Sequence, residues 1–170
     1  SQGSVVLGTA EGGLKITLYN INGLNPSSPS IDFLNEWFFK TMHHEFAHIL
    51  HQTKNYSTDF NLISTDYQGP SWLNLESDAV ANKMGYVTCY ASYSPDEDFV
   101  EIISNYVTHA KGYWESVLAT AGEEGGDKLA RKFEIVRNYL QESWGIDIDK
   151  LRDIVQKRSA NISQLDLKTL

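Results

Sequence analysis

His44, Glu45 and His48 form an H-E-x-x-H string, and these residue types at this spacing suit one kind of chemistry. In a helix, residues four apart lie about 40° apart around the axis, so His44 and His48 present two imidazoles from one face with Glu45 beside them. That is a pair of zinc ligands with a general base attached. In a chain of 170 residues with five histidines, an accidental string of this kind arises with a probability on the order of 1%.

A catalytic zinc takes three protein ligands and keeps a fourth position for water, so a third ligand must come from elsewhere. The candidates are His51, His109, Asp96, Glu97, Asp98 and Glu101. His51 lies one turn beyond His48, but three ligands from one straight helix converge poorly on a tetrahedral ion, so it reads as a flanking residue. His43 points about 100° away from His44, and His109 lies far along a later helix; both read as surface histidines.

Glu97 and Glu101 stand at i and i+4, where two carboxylates repel in an isolated helix, and a cation beside them removes that cost. In such a pair the first carboxylate can bind the metal while the second accepts a hydrogen bond from a liganding imidazole and fixes its tautomer. The competing reading is structural: Ser94 and Glu97 fit a capping box, and both acids lie opposite the apolar face of their helix.

Several elements must position these groups. The spacing predicts strands at Val5–Leu7 and Leu14–Ile21 with Gly12 and Gly13 as the turn, then a loop over residues 22–30. A helix from Pro29 or Ser30 to about Gln52 follows, capped by Ser28 or Ser30, with Phe38, Phe39, Met42, Phe46, Ile49 and Leu50 on its buried side and the histidines opposite. Residues 53–74 are polar and irregular, long enough to form part of a cleft wall, with Tyr56, Tyr67 and Trp72 available to line it.

A short helix from Leu75 to Met84 ends at Gly85, and residues 86–93 are extended or irregular. Ser94, Pro95, Asp96 and Glu97 mark a helix start, and the helix runs to about Ala110, burying Phe99, Ile102, Ile103, Tyr106 and Val107. Three further helices are expected near residues 113–121, 127–144 and 149–159, punctuated by Gly122, Gly125, Gly126 and Gly145.

Length and 41% hydrophobic content predict one globular domain over residues 1–170. The net charge of −8 argues against nucleic acid or an anionic membrane surface as partner. Cys89 is the sole cysteine, so no intrachain disulfide forms. No apolar run is long enough to span a bilayer, and the Gly-rich start without Met reads as a mature or truncated piece of a longer precursor.

His44-Glu45-x-x-His48, a long spacer, Tyr90, then Glu97-Asp98-Phe99-Val100-Glu101 resembles the zincin metallopeptidases of the glutamate-ligand type, including the catalytic domain of anthrax lethal factor. Residues 85–92 followed by 94–101 are more closely similar to the zinc-binding metallopeptidase lipoproteins of Bacteroidetes, substrate import-associated zinc metallohydrolases encoded beside outer-membrane nutrient importers. The resemblance covers roughly His43 to Tyr106. One departure is Val100, where the family commonly has Ala.

This resemblance implies an α+β, mostly helical zincin-like domain: a small N-terminal sheet, an H-E-x-x-H helix, a second ligand-bearing helix and a C-terminal helical bundle. It implies Zn2+ held by His44, His48 and Glu97, with Glu45 as general base and Glu101 behind the ligands. Tyr90, seven residues before Glu97, would assist catalysis. Asp98 stays open as an alternative ligand.

The implied function is hydrolysis of amide bonds in a peptide or protein. The implied setting is the cell envelope, as an outer-membrane lipoprotein associated with an importer. Two rival readings are a metal-binding accessory module of weak turnover and a helical domain without metal.

Overall fold

The computed structural model describes residues 5–23 and 30–164. Most of the loop expected over residues 22–30, with Ser28 and Pro29 as helix starters, lies outside the described residues. The elements run from a two-stranded hairpin into an almost wholly helical body, the α+β arrangement the sequence implies.

Strands β1 (Gly8–Glu11) and β2 (Lys15–Leu18) pair antiparallel, Glu11 opposite Lys15 and Gly8 opposite Leu18. Gly12 and Gly13 take φ of +58° and +71° in the turn, a conformation that costs glycine little. The first strand thus lies at residues 8–11 and not at Val5–Leu7. The ladder ends at Gly8 and Leu18 because the opposite arm turns away at Asn20, whose φ is 59°, so the β-propensity of the valines finds no partner there among the described residues.

Ser30 accepts a hydrogen bond from the Phe33 N–H and caps α1 (Ile31–Leu34). A π-helical segment (Asn35–Phe39) carries the chain without a break into α2 (Lys40–Thr53). The buried side of α2 is Thr41, His44, Glu45, Ala47, Leu50 and His51, while Met42 and Phe46 are 40% and 48% exposed. Leu50 is buried and Phe38, Phe39 and Ile49 half-buried as expected, but Met42 and Phe46 face outward and the histidine side, expected to be open, is buried. That side faces a helix that bears acids able to satisfy the imidazoles, and hydrogen-bonded polar groups are buried at little cost.

That partner is α5 (Pro95–Thr108), buried at every position from Asp98 to Thr108. It carries the expected core residues Phe99, Ile102, Ile103, Tyr106 and Val107, and also Val100, which is fully buried. Between α2 and α5 the chain forms a short α3 (Phe60–Ile63), a 3-10 turn (Gly69–Asn74) and α4 (Asp78–Met84). Helix α4 starts three residues later than expected, after Ser77.

Helix α6 (Tyr113–Trp144) joins two of the expected helices across a kink at Gly122, whose φ of 71° and ψ of −164° break the helical path. Gly125 is not punctuation. A Cβ there would lie 2.4 Å from the Asn82 carbonyl oxygen, so glycine is what lets α6 lie against the end of α4. Helix α7 (Ile148–Ala160), capped by Asp147, completes the layer around α5. None of the described helices is long and apolar enough to cross a membrane.

Candidate metal centre

Helices α2 and α5 meet at the site. Ser94 caps α5 by accepting from the Glu97 N–H, so the capping reading holds for the serine. The Glu97 carboxylate points across to α2, where Oε2 lies 3.0 Å from His44 Nε2 and 3.4 Å from His48 Nε2. The two Nε2 atoms are 3.2 Å apart. Ligands at about 2.0–2.2 Å around a tetrahedral zinc stand about 3.3 Å from one another, so the three atoms fit the corner spacing of such an ion.

The donor set suits zinc chemically as well, two imidazoles and one carboxylate that lie together as a group able to hold a metal. Around it the imidazoles are oriented. His44 Nδ1 is 2.8 Å from Glu101 Oε1; a carboxylate only accepts, so Nδ1 carries a proton and Nε2 is the ring nitrogen left to bind a metal in place of its own proton. His48 Nδ1 is 2.9 Å from His51 Nε2, which holds the His48 ring with its Nε2 toward Glu97 and His44.

Glu101 is itself held on three sides. Its Oε2 accepts from the Thr88 hydroxyl at 2.7 Å and from the Asn105 amide at 3.1 Å. Burial works most strongly against its charge, yet His44, Lys40 and Thr88 together outweigh it and lower its pKa. For His44, burial opposes protonation, but Glu101 and Glu97 prevail and lift it to about 10. Burial pushes Glu97 up while His44 and His48 pull it down to about 2. The site strongly favours a positive charge between the two helices.

Glu45 projects from α2 beside this cluster, buried against Gly8 of β1, and burial raises its pKa. Tyr90 opens a 3-10 turn and stacks on the His44 ring at 6.0 Å between centroids; burial and the nearby Glu97 carboxylate push its phenol up. His44, Glu45 and Tyr90 line one cavity of about 550 Å3 together with residues 5–8 and Trp72. Strand β2 does not line it; the chain leading into β1 does.

The other candidates stand apart. Asp98 turns into the core, where Oδ2 meets the buried Lys132 ammonium at 2.6 Å and the Tyr67 hydroxyl at 2.9 Å. Asp96 accepts from Tyr56 at 2.6 Å, and His43 and His109 bond the carbonyls of Phe39 and Asn105 on their own helices. Of the loop aromatics, only Trp72 reaches the cavity; Tyr56 stacks on Phe99, and Tyr67 packs on Tyr86. Thr88 and Lys132 carry no local sequence signal, because each acts on a residue brought near by the fold, whereas Asn105 and His51 stand one helical turn from Glu101 and His48, a spacing visible in the sequence.

A hairpin packed on an H-E-x-x-H helix, with a second helix setting a carboxylate against both imidazoles, defines a zincin-like α+β protein with a metal-binding group. Its lineage agrees. The chain belongs to the family described as "Putative zinc-binding metallo-peptidase", which matches residues 1–149. It is similar to a solved structure from Bacteroides caccae ATCC 43185, titled a "putative zinc-binding metallo-peptidase", at 44% identity and a TM-score of 0.81. That likeness covers 95% of this chain but 61% of the other, so the chain spans less than two thirds of its relative. No curated protein matches it.

Proposed function

We propose that the protein is a zinc-dependent peptidase in which His44, His48 and Glu97 hold the metal and Glu45 is the general base. The observation that carries this reading is the 3.0–3.4 Å triangle of Nε2, Nε2 and Oε2 atoms, with the Nδ1 atoms of both imidazoles turned outward to Glu101 and His51. Zinc held there supplies Lewis acidity to a water and to the scissile carbonyl.

Glu45 takes a proton from the attacking water as its oxygen bonds the carbonyl carbon, then delivers that proton to the leaving amine nitrogen as the C–N bond breaks. Burial favours this role, since it brings the carboxylate closer in basicity to the groups it exchanges protons with. Tyr90, stacked on His44 at the cavity wall, donates its O–H to the developing oxyanion. One such preorganised donor is worth about 3–4 kcal/mol.

An extended peptide enters along residues 5–8, whose backbone borders the cavity next to Glu45. The proposed setting is the cell envelope beside a nutrient importer, a reading supported by sequence resemblance alone and tested by fractionating the native host. For the activity, the test is a peptide-library screen with zinc-loaded wild type and Glu45→Ala. Cleavage by wild type that falls ~10²–10⁴-fold in the variant at equal zinc content supports the reading. Zinc bound without cleavage in either protein favours an accessory binding module instead.

A further inference from the structure

Gly8 opens β1 and lies against the turn of α2 that carries Glu45. Its φ is not positive, so its backbone conformation is open to any residue; what the position lacks is room. A Cβ built on Gly8 would stand 2.7 Å from Glu45 Cγ, 2.9 Å from Glu45 Oε1 and 2.9 Å from Thr41 Cγ2.

Neither wall of this slot yields easily. The Thr41 hydroxyl donates to the Trp37 carbonyl at 3.2 Å, which fixes its methyl toward the strand. The hairpin is also tied to α2 at its turn, where the Gly13 N–H donates to Gln52 Oε1 at 2.8 Å, and its two arms are held together beyond Gly8 by the Tyr19 N–H donating to Leu7 O at 2.8 Å. With β1 anchored and Thr41 β-branched, the group with most freedom to move is the Glu45 side chain.

We infer that Gly8 is a positioning residue for the general base: the bare backbone of β1 closes off one side of Glu45 and keeps its carboxylate in the cavity beside His44. The inference rests on the peptidase reading for its catalytic consequence but not for its geometry. A Cβ at position 8 presses on Glu45, and none of the three atoms nearest to it belongs to His44, His48 or Glu97. A shift of about 1 Å in a catalytic group can cost on the order of 10²-fold in rate.

The test uses Gly8→Ala alone and combined with Thr41→Ser, which removes the Cγ2 methyl and lets the new Cβ move away from Glu45. Crystal structures of both variants and of wild type locate the Glu45 carboxylate, and zinc content, kcat and KM are measured on a peptide that wild type cleaves. The expected result is a displaced Glu45 in Gly8→Ala, full zinc content, and kcat lowered ~10–100-fold with KM little changed. The penalty of Gly8→Ala should shrink several-fold in the Thr41→Ser background.

A Glu45 carboxylate superimposable on wild type, or a rate penalty equal in both backgrounds, overturns the inference. So does loss of zinc along with activity, which would mark Gly8 as a purely structural glycine. If wild type itself cleaves no peptide, the peptidase reading fails while the crystal structures still decide where Gly8 holds Glu45.

Discussion

Replacing Glu101 by Gln keeps shape and removes charge from the group that orients His44. In wild type its carboxylate accepts from His44 Nδ1 at 2.8 Å, Thr88 at 2.7 Å and Asn105 at 3.1 Å. A glutamine can turn its amide oxygen to His44, but its NH2 then faces the Asn105 NH2, which already donates to the Glu101 carbonyl at 2.9 Å. Donor meets donor inside the core. Hydrogen bonds to charged groups contribute about 1.5–3 kcal/mol, and loss of an imidazole's supporting partner typically costs 10–100-fold in metal affinity, which is about 1.4–2.8 kcal/mol.

The two figures agree, so Glu101→Gln should raise the zinc Kd by ~10–100-fold in competition with a chromophoric chelator. The metal-free protein provides a second reading of the same contact. Because the carboxylates raise His44 from 6.5 to about 10, their stabilisation is complete below 6.5 and lost as pH rises through about 10. Glu101 is lowered from 4.5, so its contribution is complete above 4.5 and fades as pH falls further. The stability difference between metal-free wild type and Glu101→Gln should therefore peak between about 4.5 and 6.5 and shrink toward pH 10. Zinc affinity equal to wild type, or a difference that does not decline at alkaline pH, would refute the reasoning.

His51→Leu removes the acceptor for His48 Nδ1 and should weaken zinc about tenfold in the same competition assay, while His51→Gln, which can still accept, should lose less. Lys132→Met leaves the fully buried Asp98 carboxylate without its cation and should lower unfolding stability by about 3–5 kcal/mol in urea denaturation. Adding Asp98→Asn to that variant should recover much of the loss, since the stranded charge is then gone.

How much of this was legible in the sequence follows from the range over which each signal acts. The H-E-x-x-H string, the Ser94-Pro95 helix start and the Glu97–Glu101 spacing are local patterns, and helix geometry alone carries them to the right faces. The side of α2 that is buried is a different matter. Met42 and Phe46 look like core residues, yet they face outward because α5 offers acids to His44 and His48 at a distance no local window can register. Gly125 reads as a break until α4 is found packed on it, and Lys132 reads as a solvated charge until Asp98 and the Gly85 carbonyl are found around it. Asp98, one residue from Glu97, cannot be told from it by composition; the helix turns it about 100° into the core.

The most direct test of the central claim is an anomalous difference map at the zinc edge from crystals of the zinc-loaded protein. The account predicts one peak about 2.0–2.2 Å from His44 Nε2, His48 Nε2 and a Glu97 carboxylate oxygen, with Glu45 beside it and not bound. A peak coordinated instead by His51 or Asp98, or no peak between α2 and α5, would contradict it.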